Sequence, residues 1–177
     1  ECHAACVALD QAGLVDYLRV VAGSSATRSG SFHIVPPMYQ EAGYTAPLGR
    51  AVKDNVSVPV IVTGRINQPQ IAEQIIAGGD ADACGMTRSL ICDPMMPAKT
   101  LAGDSDDIRA CIACNQACIG HFFMGAAISC IQHPETGRER DYEPQEAARA
   151  SRKVLIAGGG PGGMKAAAVA AERGHEV

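Results

Sequence analysis

No stretch of this 177-residue chain approaches the ~20 consecutive apolar residues that a membrane-spanning helix needs. A basic field is also missing. Lys and Arg number 15 against 19 Asp and Glu, the net charge is −4, and the positive residues are scattered, which argues against a nucleic-acid surface. There is no charged leader followed by an apolar run and a small-residue cleavage site, so the eight cysteines do not read as the disulfide framework of a secreted domain. A reducing cytoplasm is the expected setting, with Cys2, Cys6, Cys84 and Cys92 as small buried apolar residues. Internal repeats and low-complexity tracts are absent. With 47% hydrophobic and 19% charged residues, the chain is expected to be globular with a sizeable core.

Four of the cysteines carry the strongest signal. Cys111, Cys114, Cys118 and Cys130 stand in the run CIACNQACIGHFFMGAAISC with the spacing C-x2-C-x3-C-x11-C. Three thiolates within eight residues can wrap one inorganic core while the fourth closes the cage, which is the need of a cubane iron–sulfur cluster. Tetrahedral zinc also takes four thiolates and often begins with C-x2-C, so it stays open at this point. Structural zinc sites usually present two separated pairs of ligands, whereas here three crowd together and one stands apart.

The rest of the chain reads as βα repetition. An alanine-rich helical pattern at the start stops near Gly13, and a short apolar strand follows within Gly13 to Val21. Val58 to Thr63 is a second strand and Ala81 to Met86 a third, with a helix from Pro69 to Ala77 between them and another near Ala46 to Asn55. Parallel strands joined by crossover helices are implied. Ala22 to Tyr44 reads as one long irregular connection of the kind that lines a site.

Two strand ends repeat one pattern, a glycine and then an arginine: Gly64-Arg65 after the second strand, and Gly85-Met86-Thr87-Arg88 after the third. If these are the last two strands of an eightfold βα barrel, their loops form a phosphate site where backbone N–H groups and an arginine fork meet an anion. Near the far end, KVLIAGGGPGGMKAAAVAAERGHEV reads as a buried strand, a glycine turn at Gly158, Gly160 and Gly163, an alanine-rich helix and the start of another strand. This is the beginning of a dinucleotide-binding unit, whose ribose-holding acid would fall beyond Val177. The chain is therefore expected to be an internal stretch of a longer enzyme.

These motifs, in this order, resemble the iron–sulfur flavoenzymes that join an Old Yellow Enzyme-like barrel to a pyridine-nucleotide-disulfide-reductase-like domain. The carriers are GDADACGMTRSLICDP, the cysteine run and VLIAGGGPGGMKAAA. The resemblance implies an α/β fold in three parts. Residues 1–103 would be the C-terminal part of an FMN-binding TIM barrel, 104–150 a [4Fe–4S] segment with its connector, and 151–177 the start of a Rossmann-like FAD or NAD(P) domain. It further implies FMN held by Gly64, Arg65, Gly85, Met86, Thr87 and Arg88, a cluster on Cys111, Cys114, Cys118 and Cys130, and an adenine dinucleotide, FAD or NAD(P)H, on Gly158, Gly160 and Gly163. A small-molecule substrate, an electron-transfer protein as acceptor, homo-oligomeric assembly of the whole enzyme and inactivity of the 177 residues by themselves are also implied.

Dienoyl-CoA reductases of this group place a histidine early in the loop after the sixth barrel strand. That loop here reads GSSATRSGSFHIVPPMYQ, with Ser25-Ala26-Thr27-Arg28 in the early positions and His33 several residues later. The departure points toward enzymes that oxidise methylated amines or N-methyl amino acids, with reduction of an enoate or dienoyl-CoA as the alternative. A non-catalytic electron-transfer or zinc module is a reading of another class. For an amine substrate, Arg28 is the expected partner of a carboxylate, and Tyr39 or Tyr44 the aromatic face for a cationic nitrogen. His121 and His133 flank the cysteines and are expected to meet solvent or to hydrogen-bond sulfur.

Overall fold

The computed structural model describes residues 2–142 and 147–177, apart from the side chain of Arg28. The chain divides into two compact units between Gly137 and Arg138, inside the stretch 104–150 that the sequence groups with the cysteines. The first unit runs α1 (Cys2–Gln11), β1 (Leu18–Val21), α2 (Arg28–Ile34), α3 (Ala46–Lys53), β2 (Val60–Thr63), α4 (Pro69–Ala77), β3 (Ala83–Gly85), α5 (Thr87–Cys92), α6 (Met96–Ala102) and the short α7 (His121–Phe123). Its three strands form one parallel sheet in the order β1-β2-β3, with Leu18 opposite Val60 and Ile61 opposite Ala83. Helices separate the strands along the chain, so the unit is an α/β assembly built from βα steps.

The middle strand carries the core. Val60 and Val62 are wholly buried, while Ile61 and Thr63 on the other face are half-buried. Val62 packs with Ala46, Ile66, Ile75 and Ala81, and Ile71, Ala72, Cys84 and Met86 close over this cluster. Each fully buried aliphatic side chain there contributes about 1.5–3 kcal/mol. Helix α4 begins with Pro69 in its first turn, after Gln68 in extended backbone, and stops where Gly79 takes φ +77°.

Several sequence expectations change. The strands are shorter than read: Leu14 and Tyr17, placed in the first strand, are 72% and 57% exposed. The Leu18 N–H donates to the Pro59 carbonyl at 2.9 Å, but Pro59 has no N–H to carry the ladder further back. The connection Ala22 to Tyr44 is not wholly irregular, for it holds α2, where Thr27 caps the helix by accepting from the Gly30 N–H at 3.0 Å. Of the four cysteines expected in the core, only Cys92 is buried; Cys84 and Cys6 are half-buried and Cys2 is exposed. Cys2 and Cys6 lie on α1, none of whose residues is buried.

In the second unit, α8 (Pro161–Glu172) follows the glycine turn, and a parallel bridge pairs Lys153 with Glu176. The stretch expected as a buried strand is a single bridge with Val154 and Ile156 half-buried and Leu155 96% exposed. Its alternation covers one side only: Ile156 faces α8 at Gly163. Among the described residues, no helix is long and apolar enough to cross a membrane.

Asp93, at the end of α5, ties the approach to the cysteine segment onto the sheet unit. Its carboxylate is 4% exposed and accepts from the Lys99 ammonium at 2.8 Å, the Arg109 N–H at 2.9 Å and the Met95 N–H at 3.1 Å. Lys99 also pairs with Asp107 at 3.0 Å, on the same linking turn. Burial works to raise the Asp93 pKa, but the hydrogen bonds from Lys99 and the Arg109 N–H outweigh it and hold the group below 3.8. A depressed carboxylate stabilises the fold above its unfolded value, and that contribution is lost as pH falls below 3.8 through the folded value. Asp93→Asn is expected to cost about 1–3 kcal/mol near neutral pH, because it removes a charged acceptor from three donors. Denaturant unfolding of the two proteins at pH 7 and at pH 3 checks this: the gap between them is expected to narrow at the lower pH.

Candidate functional site

The three strands end on one side, and there a cavity of about 310 Å³ opens. All six residues expected at the phosphate site, Gly64, Arg65, Gly85, Met86, Thr87 and Arg88, line it. Parallel strands make this inevitable, since register puts Thr63 beside Gly85 and so brings the two following turns together. Sequence reading missed Arg19 and Asn67, which also line the cavity. Arg19 sits on β1 and donates to the Thr63 hydroxyl at 3.2 Å; nothing in its local pattern marks it, since its place depends on strand pairing. The lining holds three arginines and no Asp or Glu, so its field favours an anion.

The two strand-end glycines have a packing reason of their own. A Cβ at Gly64 would overlap the side chain of Thr45, which is wholly buried, and one at Gly85 would overlap the Thr63 hydroxyl. Arg65 takes left-handed backbone at φ +50° and donates from Nη1 to the Gln40 carbonyl, while its buried Nε has no partner among the described residues. An orphaned guanidinium donor beside a cavity is a group that an anionic ligand would satisfy.

A second, smaller space lies next to the first. Cys111, Cys114, Cys118 and Cys130 all line it, so the fold gathers the four thiols that the spacing groups. It encloses about 20 Å³. Among the described residues, no three His, Cys, Asp or Glu side chains converge on one point as the ligands of a single metal ion would. The loop owes its shape to two non-glycine residues in left-handed backbone, Ala113 at φ +55° and Asn115 at φ +58°. The first turns the Ala113 N–H toward the Cys111 sulfur, 3.4 Å away. A π-type turn, Gln116–Gly120, carries Cys118, and the Ser129 N–H donates to the Ala117 carbonyl at 2.8 Å, which returns the chain to set Cys130 beside it.

Burial pushes the Cys111 thiol above 9.0, opposed by the Ala113 N–H and the Arg88 guanidinium. Those opposing groups favour a thiolate, the form that binds metal. Cys92, outside the spacing motif, is buried and accepts from Nε2 of Gln132, a residue that lines the small space, at 3.3 Å. Its thiol is pushed up to about 12 by burial, by Cys130 and Cys111 beside it and by a hydrogen bond with Cys130.

The two spaces share a wall, formed by Arg88, Ile91, Cys111, Ala113 and Cys118. Arg88 donates to the Pro36 carbonyl at 2.9 Å and to Asn115 Oδ1 at 2.5 Å, and Asn115 Nδ2 donates to the Val35 carbonyl at 2.8 Å. Asn67, after β2, donates to the Cys111 carbonyl at 2.9 Å. The cysteine loop is thus fastened to the strand ends by side chains from two consecutive turns.

The expected substrate contacts fare differently. Tyr39 is 70% exposed and is not part of the cavity lining. Arg28 opens α2, but its side chain lies outside the described residues. Tyr44 and His33 pair with each other: His33 Nδ1 lies 3.3 Å from the Tyr44 hydroxyl, which donates to the His33 carbonyl at 3.2 Å. Burial raises the Tyr44 pKa above 10.0, with Arg88 acting in the other direction. Among the described residues, neither flanking histidine hydrogen-bonds one of the four cysteine sulfurs. His121 Nδ1 lies 2.9 Å from the Ala127 carbonyl, and His133 Nδ1 lies 3.0 Å from the Ile91 carbonyl.

In the second unit, Gly158 has φ +117°, a conformation that excludes a side chain, and a Cβ at Gly163 would overlap the Gly158 carbonyl oxygen. Around Gly160, which precedes Pro161 at the start of α8, a Cβ would meet nothing.

No family model matches the chain. Among curated proteins it is 43% identical to the N,N-dimethylglycine/sarcosine dehydrogenase of Chromohalobacter salexigens over 95% of its own length and 24% of that protein. It is 39% identical to the metal reductase of Desulforamulus reducens over 100% of its length and 26% of that protein. Its fold matches 6-hydroxypseudooxynicotine amine oxidase from Pseudomonas geniculata N1 with a TM-score of 0.73 and 35% identity, across 80% of this chain and 22% of that one. The chain thus spans about a quarter of the length of the curated relatives it matches. Over that span, the chain belongs to the iron–sulfur flavoenzyme family that includes dimethylglycine and dimethylamine dehydrogenases, an NADH oxidase and enoate reductases.

Proposed function

We propose that this chain belongs to an FMN- and [4Fe–4S]-dependent oxidoreductase that oxidises a methylated amine or an N-methyl amino acid. The observation that carries the reading is the shared wall: four thiols ring one space, and an arginine-lined cavity at the strand ends lies against it. On this reading the parallel sheet is the last part of an eightfold barrel, whose ligands bind at the C-terminal ends of the strands. The second unit is then the opening of a dinucleotide domain, with Gly158 making the turn, Gly163 admitting close packing and the open surface at Gly160 left to a pyrophosphate of FAD or NAD(P)H.

The residues fit these groups. Arg19, Arg65 and Arg88 would hold the flavin phosphate, and the backbone of Gly64, Gly85, Met86 and Thr87 would border it. Cys111, Cys114, Cys118 and Cys130 would hold the cluster as thiolates, with the Ala113 N–H donating to the Cys111 sulfur. Flavin held by Arg19, Arg65 and Arg88 would supply a hydride acceptor for the N-methyl carbon, and a cluster on Cys111, Cys114, Cys118 and Cys130 would supply a single-electron carrier beside it. Arg88 and Asn115 keep the two beds in contact, and the apolar Ile91 and Ala113 in the shared wall exclude water between them. The amine reading draws on the dehydrogenase and amine oxidase relatives and on the absence of a histidine early in the loop before α2. A reducing cytoplasm suits the exposed and half-buried free thiols.

Anaerobic mixing of the whole enzyme with N,N-dimethylglycine is expected to bleach its flavin absorbance, with NADPH and an enoyl thioester giving no turnover. Bleaching by NADPH and reoxidation by the enoyl thioester, with no response to amines, would establish the reductase reading instead. Arg88→Ala removes a charged donor from both beds. It is expected to weaken FMN binding roughly 10- to 100-fold, as loss of one charge-assisted hydrogen bond of about 1.5–3 kcal/mol predicts, and to lower iron content as well. Equilibrium dialysis against FMN together with iron analysis measures both effects.

A further inference from the structure

Arg19 enters the cavity from within β1, in register with Ile61, whereas Arg65 and Arg88 come from the segments that follow β2 and β3. The three arginines reach one space from different sides. Arg19 Nε donates to the Thr63 hydroxyl at 3.2 Å, which fixes the guanidinium plane and leaves both terminal nitrogens without a hydrogen-bond partner among the described residues. The other two are committed: Arg65 donates from Nη1 to the Gln40 carbonyl, and Arg88 donates from Nη1 to the Pro36 carbonyl and to Asn115 Oδ1. The Thr63 hydroxyl in turn has its place because Gly85, its neighbour across the β2 and β3 pairing, lacks a Cβ that would overlap it. Residues on three adjacent strands thus hold one fork open.

We propose that Arg19 is the specificity-determining residue of this cavity, its open fork taking the carboxylate of an N-methyl amino acid. The substrate class is then carboxylated rather than a simple methylated amine. This rests on the reading of the chain as part of an amine-oxidising flavoenzyme. A phosphate monoester brings about two negative charges and three guanidinium groups line the cavity, so one positive charge is left for a second anion once the flavin phosphate is met. Arg19, with its terminal nitrogens uncommitted, carries that surplus. Two parallel N–H donors match the two oxygens of a carboxylate, which orients the attached molecule as well as binding it. A methylammonium without a carboxylate meets three like charges, and the described lining has no Asp or Glu to offset them. Repulsion weighs against it.

The test uses the whole enzyme saturated with FMN, which separates an effect on substrate from one on flavin binding. The probes are N,N-dimethylglycine, dimethylamine and 3-methylbutanoate, the last a carbon isostere of dimethylglycine that keeps the carboxylate and has no nitrogen to oxidise. Wild-type enzyme is expected to show a far higher kcat/KM for dimethylglycine than for dimethylamine, and 3-methylbutanoate is expected to bind and perturb the flavin spectrum. Arg19→Ala is expected to raise the KM for dimethylglycine and the Kd of 3-methylbutanoate roughly 10- to 100-fold, as loss of a charged hydrogen-bonding partner predicts, with Arg19→Lys recovering part of the loss. Thr63→Val releases the guanidinium without removing it. It is expected to weaken both in the same direction by a smaller factor, and it keeps the test open should Arg19→Ala not fold. An unmoved KM and Kd in both Arg19→Ala and Thr63→Val overturns the proposal and leaves Arg19 to the flavin alone. Reduction of the wild type by dimethylamine as efficiently as by dimethylglycine overturns it too, with the amine reading intact. A flavin that neither dimethylglycine nor dimethylamine bleaches sinks that reading and the proposal with it, a failure distinct from an unmoved KM.

Discussion

Arg88 stands where the two spaces of this chain meet, and the hydrogen bonds it makes to Pro36 and Asn115 fix the cysteine loop against the strand ends. Those partners come from two parts of the chain, the connection after β1 and the loop of the four thiols. A half-buried guanidinium is stabilised when its donors are satisfied, and here two of its hydrogen bonds hold those two segments together. Asn115 completes the knot by donating to Val35 from left-handed backbone that few residues accept.

The arrangement below Arg88 follows from parallel pairing. In a parallel sheet every strand ends on the same side, so the turns after β2 and β3 emerge together and concentrate arginine and backbone N–H groups there. The tight fit of Gly64 against Thr45 and of Gly85 against Thr63 shows that these turns are shaped from within the unit. Asp93 works from the other side, drawing Arg109 and the linking turn onto α5 so that the cysteine segment enters at a defined place. A narrow wall between an anion-attracting cavity and a ring of thiols is suited to short-range electron exchange, which supports assigning both spaces to one redox function.

Much of this was legible in the residues because the signals were local. Helix α4 shows its bounds through Pro69 and the glycine pair after Ala77, and the cysteine spacing alone groups four thiols that fold around one space. The six strand-end residues were also found, since a glycine and an arginine after successive strands form a repeated pattern. What escaped depends on contacts distant in sequence. Arg19 reaches the cavity only because β1 pairs with β2. Strand lengths were overestimated because apolar character extends past Pro59, where the ladder cannot. Tyr39 lies beyond α2, in a part of the connection where no local pattern tells an exposed tyrosine from one that lines a cavity.

The central claim is that the four thiols hold iron in a cluster beside a flavin. Metal and flavin analysis of the whole enzyme, purified anaerobically with its visible spectrum recorded, tests it most directly. The account predicts about four irons and one FMN per chain, with the broad visible absorbance of a thiolate-bound cluster beneath the flavin bands. Stoichiometric zinc in a colourless, flavin-free protein would contradict it.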